Sequence, residues 1–244
     1  MFREEILNTL NQIGLEKFSQ YIFDSFHIEE EQRQALLSSI CSGHHLLLLG
    51  PPGSGKTTIA NRLTTILNDI EVVEGCPLNC SPQNASCPWC LERRAQGEIL
   101  RSLTLPAAER VRKVQGSGGL VVEDLIGDFD PEAAFRKGIY SPSAFLPGKL
   151  LRANRGILLI DFIDRVPERV LNVVIYALQG ETISLGALEQ KIDLDILVVA
   201  TGGEGALKSL PLDLIDNFDV ISFSYVDNFN RQKEIVISHI ERHG

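Results

Sequence analysis

Residues 50 to 57 read Gly50-Pro51-Pro52-Gly53-Ser54-Gly55-Lys56-Thr57. They stand between an apolar run, His45-Leu46-Leu47-Leu48-Leu49, and a stretch with Ile59, Leu63 and Ile66 on one helical face. The spacing G-x-x-x-x-G-K-T has a physical basis. Glycines let the main chain curl until successive N–H groups point inward at an anion, and the helix that follows adds the positive end of its dipole. A lysine placed as Lys56 is reaches the outer phosphates of a nucleotide. A hydroxyl placed as Thr57 is takes a position on Mg²⁺, with Thr58 continuing the same turn. A strand before and a helix after separate this motif from a chance glycine loop. The segment Gly50 to Thr58 is therefore expected to bind ATP with Mg²⁺.

Working outward, four more short apolar runs read as buried strands: Val72-Val73, Ile157 to Ile160, Ile196 to Ala200, and Val220 to Phe223. Helical patterns lie at 56–67, at 167–178 and, more loosely, at 207–215. Continuous apolar strands separated by helices predict an α/β fold, a five-stranded parallel sheet covered on both faces. Residues 4–41 are helical in pattern, with apolar residues three to four apart. Residues 183–195 alternate about a turn and read as a hairpin. Residues 76–156, rich in Gly and Pro, read as an elaboration of the core. The predicted organisation is a helical segment at 1–42, a nucleotide-binding core at 43–230 and the start of a C-terminal helix at 231–244.

The second half of an ATP site is an acidic residue closing a buried strand, where it holds Mg²⁺ through water. Gly156-Ile-Leu-Leu-Ile-Asp161 fits, so Thr57 and Asp161 are the candidate Mg²⁺ contacts.

Composition narrows the partners. The 244 residues are 44% apolar and carry a formal charge of −9, which argues against a broad Lys/Arg field for nucleic acid. No apolar stretch approaches the ~20 residues that cross a bilayer, and the acidic start Met1-Phe2-Arg3-Glu4-Glu5 is unlike a signal peptide. A cytoplasmic chain without a membrane span is expected. Arg93-Arg94 and Arg110, Arg112 and Lys113 read as a solvated basic face. His44 and His45 read as ordinary residues leading into a strand.

Four of the five cysteines, Cys76, Cys80, Cys87 and Cys90, fall in the pattern C-x₃-C-x₆-C-x₂-C with Pro77, Pro82 and Pro88 among them. Such spacing lets thiolates converge on one tetrahedral ion, zinc first and an iron–sulfur cluster second. Cysteines that only pack or stay free are the third reading, and the six-residue gap is shorter than in zinc ribbons. Cys41 stands apart and reads as core.

Between the two phosphate motifs lie Gln115-Gly116-Ser117, Val122-Glu123-Asp124-Leu125-Ile126-Gly127-Asp128, and Pro147-Gly148-Lys149-Leu150-Leu151-Arg152-Ala153-Asn154-Arg155-Gly156, running into Ile157 to Asp161. This combination resembles the AAA+ ATPases of the magnesium chelatase I-subunit family, from about Leu36 to Tyr225. The resemblance implies an αβα sandwich with a helix-2 insert inside 115–150, at Glu123 to Gly138, and a hairpin before the fourth strand. It also implies assembly with related subunits into homo- or hetero-oligomeric rings, ATP at the subunit interfaces, and ATP-driven work on a client such as metal insertion into a porphyrin.

Three positions depart from that family's pattern. Its catalytic glutamate is replaced by Phe162, which can neither accept a proton nor hold a water. Its polar sensor falls at Gly203, with Thr201 as a substitute. Its arginine finger falls at Asn217 in Leu214-Ile215-Asp216-Asn217-Phe218-Asp219. These losses point to an ATP-binding subunit with weak or absent hydrolysis and a regulatory or scaffolding role. The alternative is an active motor in which Asp164 serves the water and Arg165 or Arg155 supplies the cation. A small-molecule kinase is disfavoured by the insert and hairpin. Residues 1–244 are expected to hold no C-terminal helical lid of the family's kind, which either lies beyond them, is absent, or comes from another chain. Phe26-His27-Ile28 falls where AAA+ proteins contact adenine, and hydrophobic packing accounts for it equally.

Overall fold

Leu47 and Leu49 join one apolar cluster and Leu46 and Leu48 another, so the strand before the glycine loop is buried on both faces. That alternation is the period-two geometry of a strand inside a covered sheet. The computed structural model describes residues 2–23, 28–180, 183–184, 191–225, 232–233 and 237.

The chain opens with helices α1 (Phe2–Ile13), α2 (Leu15–Phe23) and α3 (Glu30–Ser42), then strand β1 (His45–Leu49) and helix α4 (Lys56–Leu63). Strand β2 (Ile70–Val73), helix α5 (Pro88–Ala95), and strands β3 (Ser102–Leu105) and β4 (Val111–Gln115) follow. Next come α6 (Val122–Leu125), β5 (Gly127–Phe129), α7 (Pro131–Lys137), β6 (Phe145–Pro147), α8 (Lys149–Arg152), β7 (Gly156–Asp161) and α9 (Glu168–Leu178). The last described elements are β8 (Ile183–Ser184), β9 (Lys191–Ile192), β10 (Ile196–Gly202), α10 (Ala206–Ser209), α11 (Leu212–Ile215) and β11 (Phe218–Ser222).

The core is a five-stranded sheet in the order β11-β1-β10-β7-β4, with every pairing parallel. One face packs on α1 to α4 through Ile6, Phe18, Leu36, Ile40, Ile59 and Leu63. The other packs on α9 through Val170, Leu171, Val174 and Leu178, and on the cysteine loop and the β5–β6 insert. Each such fully buried Leu, Ile or Val contributes on the order of 1.5–3 kcal/mol by leaving water.

The sheet corrects one sequence expectation. Val72-Val73 belong to β2, which pairs antiparallel with β3 outside the main sheet. The fifth core strand is β4, Val-Arg-Lys-Val-Gln, read from sequence as part of a solvated basic face. It is an edge strand, so Val114 buries while the other face carries Lys113 in the manner of charged sheet edges.

Arg110 departs further from that reading, being only 1% exposed. It makes paired contacts of 2.7 Å to Glu5 on α1 and donates to the carbonyls of Asn68 and Arg155. Burial of a guanidinium is tolerated because its donors are satisfied by a carboxylate and carbonyls.

The helix after the glycine loop ends at Leu63 and tightens into a 3₁₀ turn at Thr64–Ile66, short of the expected 67. The expected hairpin is present where β8 pairs with β9, and residues 185–190 at its tip lie outside the described residues. Most of 231–244 also lies outside them. Between β4 and β7, β5 and β6 form an antiparallel pair around α7, where the helix-2 insert was expected.

Candidate functional site

The glycine loop leaves the carboxyl end of β1 beside the carboxyl ends of β7 and β10, the crevice where open α/β sheets present ligands. Gly50, Gly53 and Gly55 have φ of 151°, 82° and 87°, in the region that favours glycine. At Gly50 a side chain is also sterically impossible, since a Cβ would fall 2.3 Å from the carbonyl oxygen of Phe223. That contact belongs to the join in which Phe223 N–H donates to Leu49 O at 2.7 Å. The loop is thus fixed to β11 before α4 begins at Lys56.

The Lys56 ammonium is buried at the loop, donating to the carbonyls of Gly50 at 2.8 Å and Pro51 at 2.7 Å. Burial holds its pKa below the ordinary lysine value, and the negative charges of Asp161, Asp164 and Glu204 act in the opposite direction. Three acidic groups therefore face one ammonium, a charge pattern suited to a divalent cation beside phosphates.

Thr57, Asp161 and Thr201 converge. Thr57 Oγ1 donates to Asp161 Oδ1 at 3.0 Å, and Thr201 Oγ1 donates to the same oxygen at 2.5 Å. Thr201 Oγ1 in turn accepts from the Phe162 N–H at 3.2 Å. Thr57 comes from α4, Asp161 from the end of β7, and Thr201 from β10. The donor set, two hydroxyls about one carboxylate next to a glycine cradle, suits Mg²⁺, which favours oxygen ligands and retained waters. A cavity of about 290 Å³ opens beside these groups, lined also by Lys113, Gln115 and Lys149.

Phe162 follows Asp161 with φ 54° and ψ 55°, a left-handed conformation that costs a bulky residue on the order of 1 kcal/mol. Gly116 explains part of this crowding. A Cβ on it would lie 2.0 Å from Phe162 O, and its N–H donates to Asp161 O at 2.7 Å. The guanidinium of Arg165 covers the Phe162 ring. The carboxylate of Asp164 turns back toward the end of β10: a methyl on Gly202 would meet Oδ1 at 3.4 Å, and one on Gly203, the expected sensor position, would meet Oδ2 at 3.8 Å. Asp164 Oδ1 is buried and has no hydrogen-bond partner among the described residues.

Other expected groups lie elsewhere. Asn217 precedes β11 at the end where Phe218 pairs with His45, opposite the glycine loop, and its amide donates to Asp213 O at 2.6 Å. Arg155, one of two cations considered for that role, is a structural residue, with φ 60° and bonds to the Glu71 and Asn79 carbonyls at the start of β7. Phe26 and His27 lie outside the described residues, and Ile28 packs beside the α1–α4 cluster. His45 does more than lead into β1. Its Nδ1 accepts from the Val198 N–H at 3.1 Å, and desolvation pulls its pKa to about 4 against a hydrogen bond to the Leu178 backbone. The lone signal in sequence was a histidine at the head of an otherwise apolar run.

The four cysteines of the second-strand loop are brought together. Their sulfurs all lie within 4.8 Å of one another, apart from the nucleotide loop. Among the described residues no helix is long and apolar enough to cross a membrane.

Comparison with known proteins agrees with this geometry. The family model "Magnesium chelatase, subunit ChlI" matches residues 23–81, which hold the glycine loop. A "Magnesium-chelatase subunit ChlI homolog" of Methanocaldococcus jannaschii is 32% identical over 162 residues, covering 65% of this chain and 42% of that protein. A "Magnesium-chelatase 38 kDa subunit" of Acidiphilium rubrum is 34% identical over 143 residues, 57% of this chain and 39% of its own. The chain thus spans about two fifths of the length of these relatives. A cryo-EM-based structure of the complex between the BchI and BchD subunits of magnesium chelatase superposes with a TM-score of 0.66 at 25% identity, covering 89% of this chain and 65% of the other. The αβα sandwich and its five parallel strands are those of an AAA+ P-loop domain.

Proposed function

We infer that this chain, related through its nucleotide-binding core to the magnesium chelatase ChlI subunits, is an ATP-binding AAA+ subunit that hydrolyses ATP weakly or not at all. Its role is regulatory or scaffolding within a cytoplasmic ring of related subunits. The glycine-loop amides and Lys56 grip the phosphates, and Thr57 and Asp161 hold Mg²⁺ through oxygen and water. Thr201 keeps the Asp161 carboxylate aimed by sharing its Oδ1.

Phe162 carries the reading. It directly follows the Mg²⁺-side carboxylate, where a glutamate would orient and polarise the attacking water, and a phenyl ring has no lone pair for that task. Asn217 adds to it. In a ring its end of the sheet would face a neighbour's nucleotide, and an amide brings no cation to the developing charge, a contribution worth about 10³–10⁵ in rate in GTPases. ATP then acts as a bound ligand that orders the subunit interface.

Steady-state hydrolysis by the chain, alone and with co-purifying AAA+ subunits, tests this. Turnover well below about 1 s⁻¹ is expected, and turnover in the ordinary enzyme range would overturn it. A second reading, the active motor, is favoured by one observation: the buried Oδ1 of Asp164 beside Gly202 and Gly203, which has no hydrogen-bond partner among the described residues. If Asp164 positions the water, Asp164→Asn abolishes whatever turnover exists. Under the first reading it leaves turnover unchanged.

A further inference from the structure

Outside the nucleotide site, the cluster with the most demanding chemistry is Cys76, Cys80, Cys87 and Cys90. Sulfurs placed about 2.3 Å from one ion at the corners of a tetrahedron sit about 3.8 Å from each other. Here all four lie within 4.8 Å of one another, with Cys76 Sγ and Cys87 Sγ 3.6 Å apart. A multi-iron cluster would hold its thiolates farther apart, so the space suits a single ion. None of the cysteines is in a disulfide. The set contains no carboxylate and no imidazole, which favours a thiophilic ion over Mg²⁺ or Ca²⁺.

The backbone is shaped to present these thiols. Gly75 at φ 71° and Asn79 at φ 51° turn the first pair's loop, with Cys76 N–H donating to Val73 O and Asn79 N–H to Cys76 O. The second pair opens α5. Cys87 is its N-cap and Cys90 lies in its first turn, where Cys90 N–H points at Cys87 Sγ at 3.4 Å. Amide donors and the positive end of a helix both favour thiolate over thiol.

We propose that Cys76, Cys80, Cys87 and Cys90 bind one structural zinc ion that fastens the root of β7 to the β5–β6 insert. The two halves of the loop reach different parts of the molecule. On the first half, Asn79 Nδ2 donates to the Asn154 carbonyl at 2.9 Å, and Asn154 Nδ2 donates back to the Leu78 carbonyl at 2.7 Å. On the second half, Trp89 packs against Phe145 of β6 with ring centroids 6.2 Å apart. Phe145 meets Phe129 of β5 edge-on at 5.1 Å. Glu92 of α5 accepts from the Ser143 N–H at 3.0 Å and from the Ser141 hydroxyl. Two short segments joined through one ion thus link the strand that ends in Asp161 to the insert, with the closed four-ligand sphere of structural rather than catalytic zinc.

Trp89, the only tryptophan, lies between two of the ligands, so its emission reads the knuckle directly. The test is elemental analysis of the full chain, expressed with zinc and iron both supplied, combined with titration by an organomercurial thiol reagent. One zinc per chain, released as four thiols react and accompanied by a shift in Trp89 emission, is the expected result. Cys87→Ser with Cys90→Ser should abolish the bound zinc. The titration of the unmodified chain decides the matter even if that variant does not fold. Protein free of metal, whose thiols react at the pace of free cysteine and whose emission ignores added zinc, would overturn the proposal. So would stoichiometric iron with visible absorption.

Discussion

The guanidinium carbon of Arg165 lies 4.4 Å from the centroid of the Phe162 ring, stacking a cation on the residue that follows Asp161. The pair holds an aromatic ring, in a left-handed backbone conformation, directly after Asp161, where the proposed function calls for a carboxylate in an active ATPase. Replacing the ring by Phe162→Glu restores a group that can polarise water and leaves Arg165 as its ion partner. Turnover should rise by roughly 10²–10⁴, the usual worth of a positioned general base. Steady-state phosphate release checks this, and an unchanged rate would locate the defect elsewhere, at Asn217 or Gly203.

Arg110, which immediately precedes β4, ties the start of that strand to α1 through Glu5 across 105 residues of chain. Either Arg110→Ala or Glu5→Ala strips one partner from a buried pair, which costs about 3–5 kcal/mol. Exchanging both for Met should cost less than the two single losses combined, because no charge is left buried alone. Urea denaturation midpoints of the three variants provide the measurement.

His45 carries a pH prediction. Its folded pKa of about 4 lies below the ordinary 6.5, so the folded protein prefers the neutral ring and the unfolded chain binds the extra proton. Its contribution is complete above about pH 6.5 and is lost as pH falls toward 4, for a loss of roughly 2–3 kcal/mol. A His45→Gln variant keeps an acceptor for Val198 N–H and a donor for the Leu178 carbonyl without titrating. It should lose less stability between pH 7 and 4.5 than the parent in denaturation series. Equal losses would mean that other groups dominate the acid limb.

How legible all this was in the sequence depended on whether the relevant forces were local. Gly50 to Thr57 and Gly156 to Asp161 could be read because a strand, a curl of glycines and a helix start are short-range signals. The cysteine spacing could be read for the same reason. Strand β4 could not, since Val111-Arg112-Lys113-Val114-Gln115 buries one face at a sheet edge and shows no continuous apolar run. Val72-Val73 misled because two apolar residues look the same in a core sheet and in a peripheral ribbon. The burial of Arg110 depends on Glu5, and nothing in the intervening sequence announces that pairing. Thr201 was placed only as a substitute sensor, and its hydroxyl reaches Asp161 because β10 and β7 are neighbours in the sheet.

Isothermal titration calorimetry of the chain with Mg·ATP tests the phosphate grip most directly. Saturable binding that ADP competes away is predicted, with Lys56→Ala weakening it about 10–100-fold through loss of a charged hydrogen bond to phosphate. No heat with millimolar Mg·ATP, or equal binding by Lys56→Ala, would contradict it.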